Sequence, residues 1–150
     1  MKLLHCFCLQ LVTTLHAAGP APVLKTEKFK LGDWEDEIGY RQAVRVGNTL
    51  HISGVAGSGA MPDAIKGVYG ELQKILTHFG LTFAHVVKEN VYTTDLEALK
   101  ANLAVRRAFY GTEFPAATWV QVSRLYEPTH VLEVELVAVF PDQPAATGKK

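Results

Sequence analysis

Glu133 and Glu135 lie two residues apart in VLEVELVAVF, a run in which every other residue is apolar. In a strand they share one face, about 7 Å apart. A carboxylate among apolar neighbours keeps its proton to higher pH and can act as acid or base toward a bound water. The competing reading is structural: one of the two pairs with an arginine or meets a water at an interface. Their spacing alone does not identify a glycosidase pair. Other reactive side chains are poorly placed. The six histidines (His5, His16, His51, His78, His85 and His130) form no H-x-x-x-H or H-x-x-E-H arrangement, so no metal site is expected. Ser53 sits in I-S-G rather than in G-x-S-x-G. GSGAMP lacks the Lys-Ser/Thr ending of a phosphate loop. Cys6 and Cys8 are too close together and too near the start for a redox or zinc motif. No cofactor is expected.

The two glutamates need a sheet to hold them. In residues 131–140, Val131, Glu133, Glu135, Val137 and Val139 alternate with Leu132, Val134, Leu136, Ala138 and Phe140. Both faces are apolar, so both must be covered. Before this run, Ala117, Trp119 and Gln121 alternate with Thr118, Val120 and Val122 in a second strand. Residues 39–54 read as a hairpin turning at Gly47-Asn48, where glycine in first place suits a type II′ turn. Ser53-Gly54 ends that hairpin, where backbone can approach a ligand or another chain. Residues 55–61 read as a Gly/Ala-rich loop.

Residues 62–79 carry a continuous helical stripe of Ile65, Val68, Tyr69, Leu72, Ile75, Leu76 and Phe79. Asp63 can cap its start and Gly80 its end. Gly67 and Gly70 are expected where helix and sheet approach closely. Residues 85–93 form a strand. Thr94 and Glu97 then make a capping box for a second helix running to about Tyr110. Arg106 and Arg107 near its end suit the helix dipole. The acidic run around Trp34 reads as solvated, with the indole packed at a domain edge. The order is β-β-α-β-α-β-β, an α+β domain with two helices on one face of a four- or five-stranded sheet. Nothing in the chain remains for the other face. A closed symmetric oligomer with sheets facing inward supplies the cover, and its pockets should lie between subunits.

The chain has 150 residues, 48% of them apolar, and fifteen basic residues balance fifteen acidic ones. That is one globular domain with no basic surplus for nucleic acid. Residues 1–21 have a positive start, an apolar centre and small residues near a potential cut, as a secretory leader does. Cleavage would make the protein periplasmic or secreted; a retained leader leaves it cytoplasmic. No other segment suggests a membrane. Residues 22–141 form the domain, and residues 142–150 are expected to be a disordered tail.

Three separated blocks carry a family resemblance: GYRQAV with VGNTLHISG, VVKENVYTTDL, and FPAATWVQV followed by VLEVELVA. Together they resemble the Rid (reactive intermediate deaminase) family, also called YjgF-like or L-PSP endoribonuclease-like, over about two-thirds of the chain. The resemblance implies a chorismate-mutase-like fold, a homotrimer and small-metabolite pockets between subunits. It implies hydrolysis of reactive enamines and imines such as 2-aminoacrylate to 2-keto acids and ammonia. In active members an arginine after the Pro-Ala pair grips the substrate carboxylate, and a glutamate of the last strand orders the attacking water. Carried over, the glutamate is Glu133, with Tyr40 and Ser53 lining the pocket. The family's asparagine falls on Leu103 or, one residue away, on Asn102.

The arginine position holds Ala117. A methyl group cannot replace a bidentate, charge-assisted grip, and losing such a contact costs about 3–5 kcal/mol. Trp119, two residues on and on the same side, either fills the vacated space or offers a flat surface to an uncharged ligand. Plain interface packing is its other role. Arg41, Arg106 or Arg107 could supply a replacement cation. The expectation is a Rid-like homotrimer with an intersubunit pocket, a divergent member with an altered substrate or with weak or no imine deaminase activity. The alternatives are a deaminase with a relocated arginine, a non-catalytic binding or scaffold trimer and, with least support, a ribonuclease.

Overall fold

A computed structural model describes residues 25–141, so the leader, both cysteines and the tail lie outside the described residues. Six strands form one mixed sheet: β1 (Thr26–Phe29), β2 (Ala43–Val46), β3 (Thr49–Ser58), β4 (Val86–Thr93), β5 (Ala116–Gln121) and β6 (His130–Val139). Their spatial order is β1-β2-β3-β6-β4-β5. Only β4 and β5 run parallel. The two strands read from the C-terminal run are therefore not neighbours; β4 stands between them. The sheet is one strand wider than expected because residues 26–29 pair with β2.

Helix α1 (Trp34–Ile38) connects β1 to β2, α2 (Met61–His78) crosses the sheet, and α3 (Leu96–Ala101) and α4 (Leu103–Tyr110) follow β4. The second long helix is thus broken, at Asn102, whose φ of −115° leaves the helical region. Its N-cap is Asp95 rather than Thr94: the Asp95 carboxylate accepts the Ala98 amide at 2.9 Å. At α2 the N-cap is Ala60, with Asp63 inside the first turn. The other end closes as expected from Gly80. Gly80 takes φ +71°, its amide reaches the Thr77 carbonyl at 2.9 Å, and the Leu81 amide reaches Leu76 at 2.8 Å. That double bond pattern is a Schellman motif.

The predicted stripe of α2 is buried on the sheet residues Leu50, Ile52, Leu132, Val134, Leu136 and Ala138. Gly67 and Gly70 are not the close contacts; a Cβ on either would meet nothing within 4 Å. Closeness comes from the sheet side, at Gly57, where a Cβ would lie 2.8 Å from Val68 Cγ2. Gly57 is part of β3, which continues through residues expected to form a loop. The hairpin turn is as read: Val46 pairs with Thr49, and Gly47 has φ +59° while among the described residues no non-glycine has positive φ.

The second face of the sheet is bare in one chain. Along β6 burial alternates, with Leu132, Val134, Leu136 and Ala138 buried under α2 and the Glu133 parity half-buried. The acidic run at α1 is not wholly solvated. Glu35 is fully buried, and its carboxylate accepts the backbone amides of Leu31 at 2.7 Å and Gln42 at 2.9 Å. It thereby ties the β1–α1 segment to β2.

Candidate functional site

A bulge in β3 creates room at Glu133. Ile52 pairs with Leu136 and Val55 with Val134, so Ser53 and Gly54 together oppose Glu135. A Cβ on Gly54 would overlap the Glu133 carboxylate, coming within 2.8 Å of its Cδ. The close approach at Gly54 is therefore made by Glu133. Ser53 is fixed by its own backbone: its amide donates to the Gln42 carbonyl at 2.9 Å and its hydroxyl to the Arg41 carbonyl at 2.7 Å. Its oxygen keeps lone pairs free for a ligand.

Ser53, Gly54 and Glu133 share a cavity of about 460 Å³ with Tyr40 and Gln42. Leu31, Trp34 and Ile38 from the α1 region, with Tyr126 and His130 from the segment before β6, complete its walls. Trp34 and Tyr40 stack obliquely, with ring centroids 5.5 Å apart. The two glutamates of β6 differ in surroundings. Glu135 Oε1 accepts Asn90 Nδ2 at 2.6 Å and the Tyr92 hydroxyl at 3.1 Å. Among the described residues no hydrogen bond stabilises the charged form of Glu133; burial pushes its pKa up, His130 opposes that rise, and Glu135 adds to it. Burial likewise raises the Tyr40 phenol, with Glu35 and Glu133 adding to the effect.

Asn102, Ala117 and Trp119 lie elsewhere in the chain. Asn102 donates to the Ala98 carbonyl at 2.9 Å, bracing the break between α3 and α4. Ala117 pairs with Glu89 and Trp119 with Val91, whereas Glu133 pairs with Tyr92. Strand alternation then places Ala117 and Trp119 on the helix side of the sheet and Glu133 on the bare side. One chain does not bring them together. Ala117 and Trp119 line a second cavity, also about 460 Å³, with Leu103, Arg107 and Phe114.

Beneath that second cavity lies a buried ionic cluster that sequence reasoning missed. Glu89 is fully buried and accepts Arg106 Nε at 2.9 Å and Nη2 at 2.6 Å. Tyr69 and Tyr110 hydroxyls donate to it at 2.6 and 2.8 Å, and the Trp119 indole N–H at 3.1 Å. The buried carboxylate that pairs with an arginine is thus Glu89, and neither Glu133 nor Glu135 has such a partner among the described residues. Its signal was present: a charged residue at the same strand parity as Val91 and Thr93. Burial, reinforced by Glu89, drives both tyrosine pKa values far upward, so both stay neutral donors. Arg106 is consumed here, and Arg41 is paired with Asp36. Among the described residues Arg107 forms no ion pair, and it lines the Ala117 cavity.

The model of the family described as endoribonuclease L-PSP matches residues 33–140. The chain belongs to this Rid/YjgF family. A 2-iminobutanoate/2-iminopropanoate deaminase of Dermatophagoides farinae is 28% identical over 110 residues, covering 67% of this chain and 85% of that protein. The Capra hircus protein of the same description is 31% identical over 109 residues, covering 67% and 79%. The crystal structure of a YjgF/YER057c/UK114 family member from Mycobacterium tuberculosis superposes with a TM-score of 0.71 at 26% identity, covering 77% of this chain and 99% of that one. The fold is accordingly the chorismate-mutase-like fold of the Rid/YjgF family.

Proposed function

We propose that this Rid/YjgF protein is a homotrimer that hydrolyses imines in a cleft between subunits, with Glu133 as the base and with little turnover of imino acids. The observation that carries this reading is the Glu133 carboxylate itself. It is set in a 460 Å³ cavity by a β-bulge, carries a raised pKa, and has no lysine or arginine among the residues lining the cavity. A carboxylate in that state can accept a proton from an attacking water near neutral pH.

The trimer follows from the bare sheet face and from the separation of Glu133 and Ala117. If the family's glutamate and carboxylate-binding positions serve one substrate, they must come from two subunits, because within one chain they lie on opposite faces. At the binding position the neutral Ala117 offers no anchor for a carboxylate. The indole of Trp119 does not fill that role either, since its N–H is committed to Glu89.

Two variants test the proposal. Glu133→Gln should lower imine hydrolysis by about a hundredfold or more. Ala117→Arg should raise hydrolysis of 2-iminobutanoate, with Glu133 still required. An unchanged rate in Glu133→Gln would remove the glutamate from the mechanism. The runner-up reading, a relocated cation, rests on Arg107. It predicts that wild type hydrolyses imino acids well and that Arg107→Gln abolishes this.

A further inference from the structure

The chemistry of the Glu133 cavity points to a substrate class, and this inference rests on the proposed hydrolysis. We infer that the cavity accepts imines without a carboxylate, bearing an aromatic or branched apolar group, in their protonated iminium form.

Shape and charge both favour this class. Leu31, Trp34, Ile38 and Tyr126 are 45%, 47%, 53% and 73% exposed, so large apolar surface is presented to the cavity and to solvent. Single exposed apolar residues are ordinary; four around one concavity mark a binding surface. Trp34, Tyr40 and Tyr126 add three aromatic rings, whose faces attract a cation. Two polar groups of the cavity are available as acceptors. Glu133 is unpaired, and the Ser53 hydroxyl has already given its proton to the Arg41 carbonyl. No lysine or arginine lines the cavity. The other titratable lining groups are Tyr40, Tyr126 and His130, whose Nδ1 is buried without a partner among the described residues. An anion would meet the Glu133 carboxylate with no lysine or arginine to compensate it. An iminium presents N–H donors to Glu133 and Ser53 and its positive charge to the rings. Across the cleft, the neutral Ala117 fits a substrate with no acid to hold.

The step balances without a co-reactant other than water. Water oxygen bonds to the iminium carbon while Glu133 takes a water proton. Glu133 returns that proton to nitrogen; as the C–N bond breaks it takes the hydroxyl proton of the carbinol and passes it to the departing ammonia, so the products are a carbonyl compound and ammonium. The upstream reaction must therefore be oxidation of a primary amine, and the carbonyl product is an aldehyde or ketone rather than a keto acid.

A matched pair isolates the carboxylate. Phenethylamine oxidised by an amine oxidase, and phenylalanine oxidised by an amino-acid oxidase, give imines that differ by that group alone. The decay of the imine itself, followed by its own NMR signal and corrected for the uncatalysed rate, reads the enzyme's effect. The assembled protein should accelerate hydrolysis of the phenethylamine-derived imine at least tenfold more than that of the imino acid. Ala117→Arg should narrow that ratio, and Glu133→Gln should abolish both rates. Equal rates, or preference for the imino acid, overturn the substrate class while leaving the hydrolase reading standing. Absence of both rates overturns the hydrolase reading, and the substrate class falls with it. Binding gives a separate readout through thermal shift with phenethylammonium and 3-phenylpropionate. The ammonium should stabilise the wild type and lose that effect in Glu133→Gln. Stronger stabilisation by the carboxylate contradicts the inference whatever the rates.

Discussion

Glu133 differs from its neighbour in what surrounds it, not in what it is. Glu135, two residues away, has the same side chain but is held by Asn90 and Tyr92 at 2.6 and 3.1 Å. Glu133 has only space, and Gly54 provides it. Gly54→Ala should therefore displace the carboxylate and lower activity on the order of a hundredfold, as loss of a base does. Because the atom met is the end of a flexible side chain, the folded state should change by within about 1 kcal/mol. A steady activity with an unchanged melting temperature would show that the carboxylate acts from another position. The raised pKa has a second consequence. A raised carboxyl pKa means the folded state holds the proton that the unfolded state has already lost. Stability then falls as pH rises from about 4.5, the ordinary value, through the folded pKa. Glu133→Gln removes that loss. The variant should melt higher than wild type at pH 7, with the difference shrinking as pH is lowered toward 4.

At the scale of elements, the Glu89–Arg106 pair is the main tie between β4 and α4. Both side chains are buried, and three further donors satisfy the carboxylate. Arg106→Met should destabilise by about 3–5 kcal/mol, because it leaves a buried charge without its cation. Adding Glu89→Gln should recover part of that loss. Urea denaturation at fixed protein concentration reads both. A loss below 1 kcal/mol for the single variant would mean that the tyrosines and Trp119 carry the carboxylate alone.

The elements also show what the sequence could convey. The stripe of α2, the Gly47-Asn48 turn and the alternation of β6 were legible because each depends on local spacing. Gly80 was legible as a helix stop for the same reason. The break at Asn102 was not, since Leu99, Leu103 and Tyr110 continue one apolar face across it. The insertion of β4 between β5 and β6 was hidden, because strand order is set by non-local pairing. At the site, Tyr40, Ser53 and Glu133 could be placed from the three sequence blocks. Trp34, Tyr126 and His130 could not: each lies in irregular or short structure with no period to read. Arg106 was readable as a helix-end cation, but its burial against Glu89 depends on two elements meeting.

At the scale of the whole molecule, a single chain leaves apolar surface open. One sheet face is bare, and β5 is an edge strand with Phe114 and Val120 exposed nearby. Such an edge invites pairing or cover. The proposed trimer gives both an occupant and places the Glu133 side of one subunit against the Ala117 side of the next. The most direct measurement of that claim mixes two inactive variants. Glu133→Gln removes the base, and Ala117→Trp fills the opposite side. Co-expressed and purified as mixed trimers, they should regain part of the wild-type imine hydrolysis, because some clefts then take an intact side from each. Mixed trimers that assemble but stay as inactive as either parent would contradict the two-subunit site.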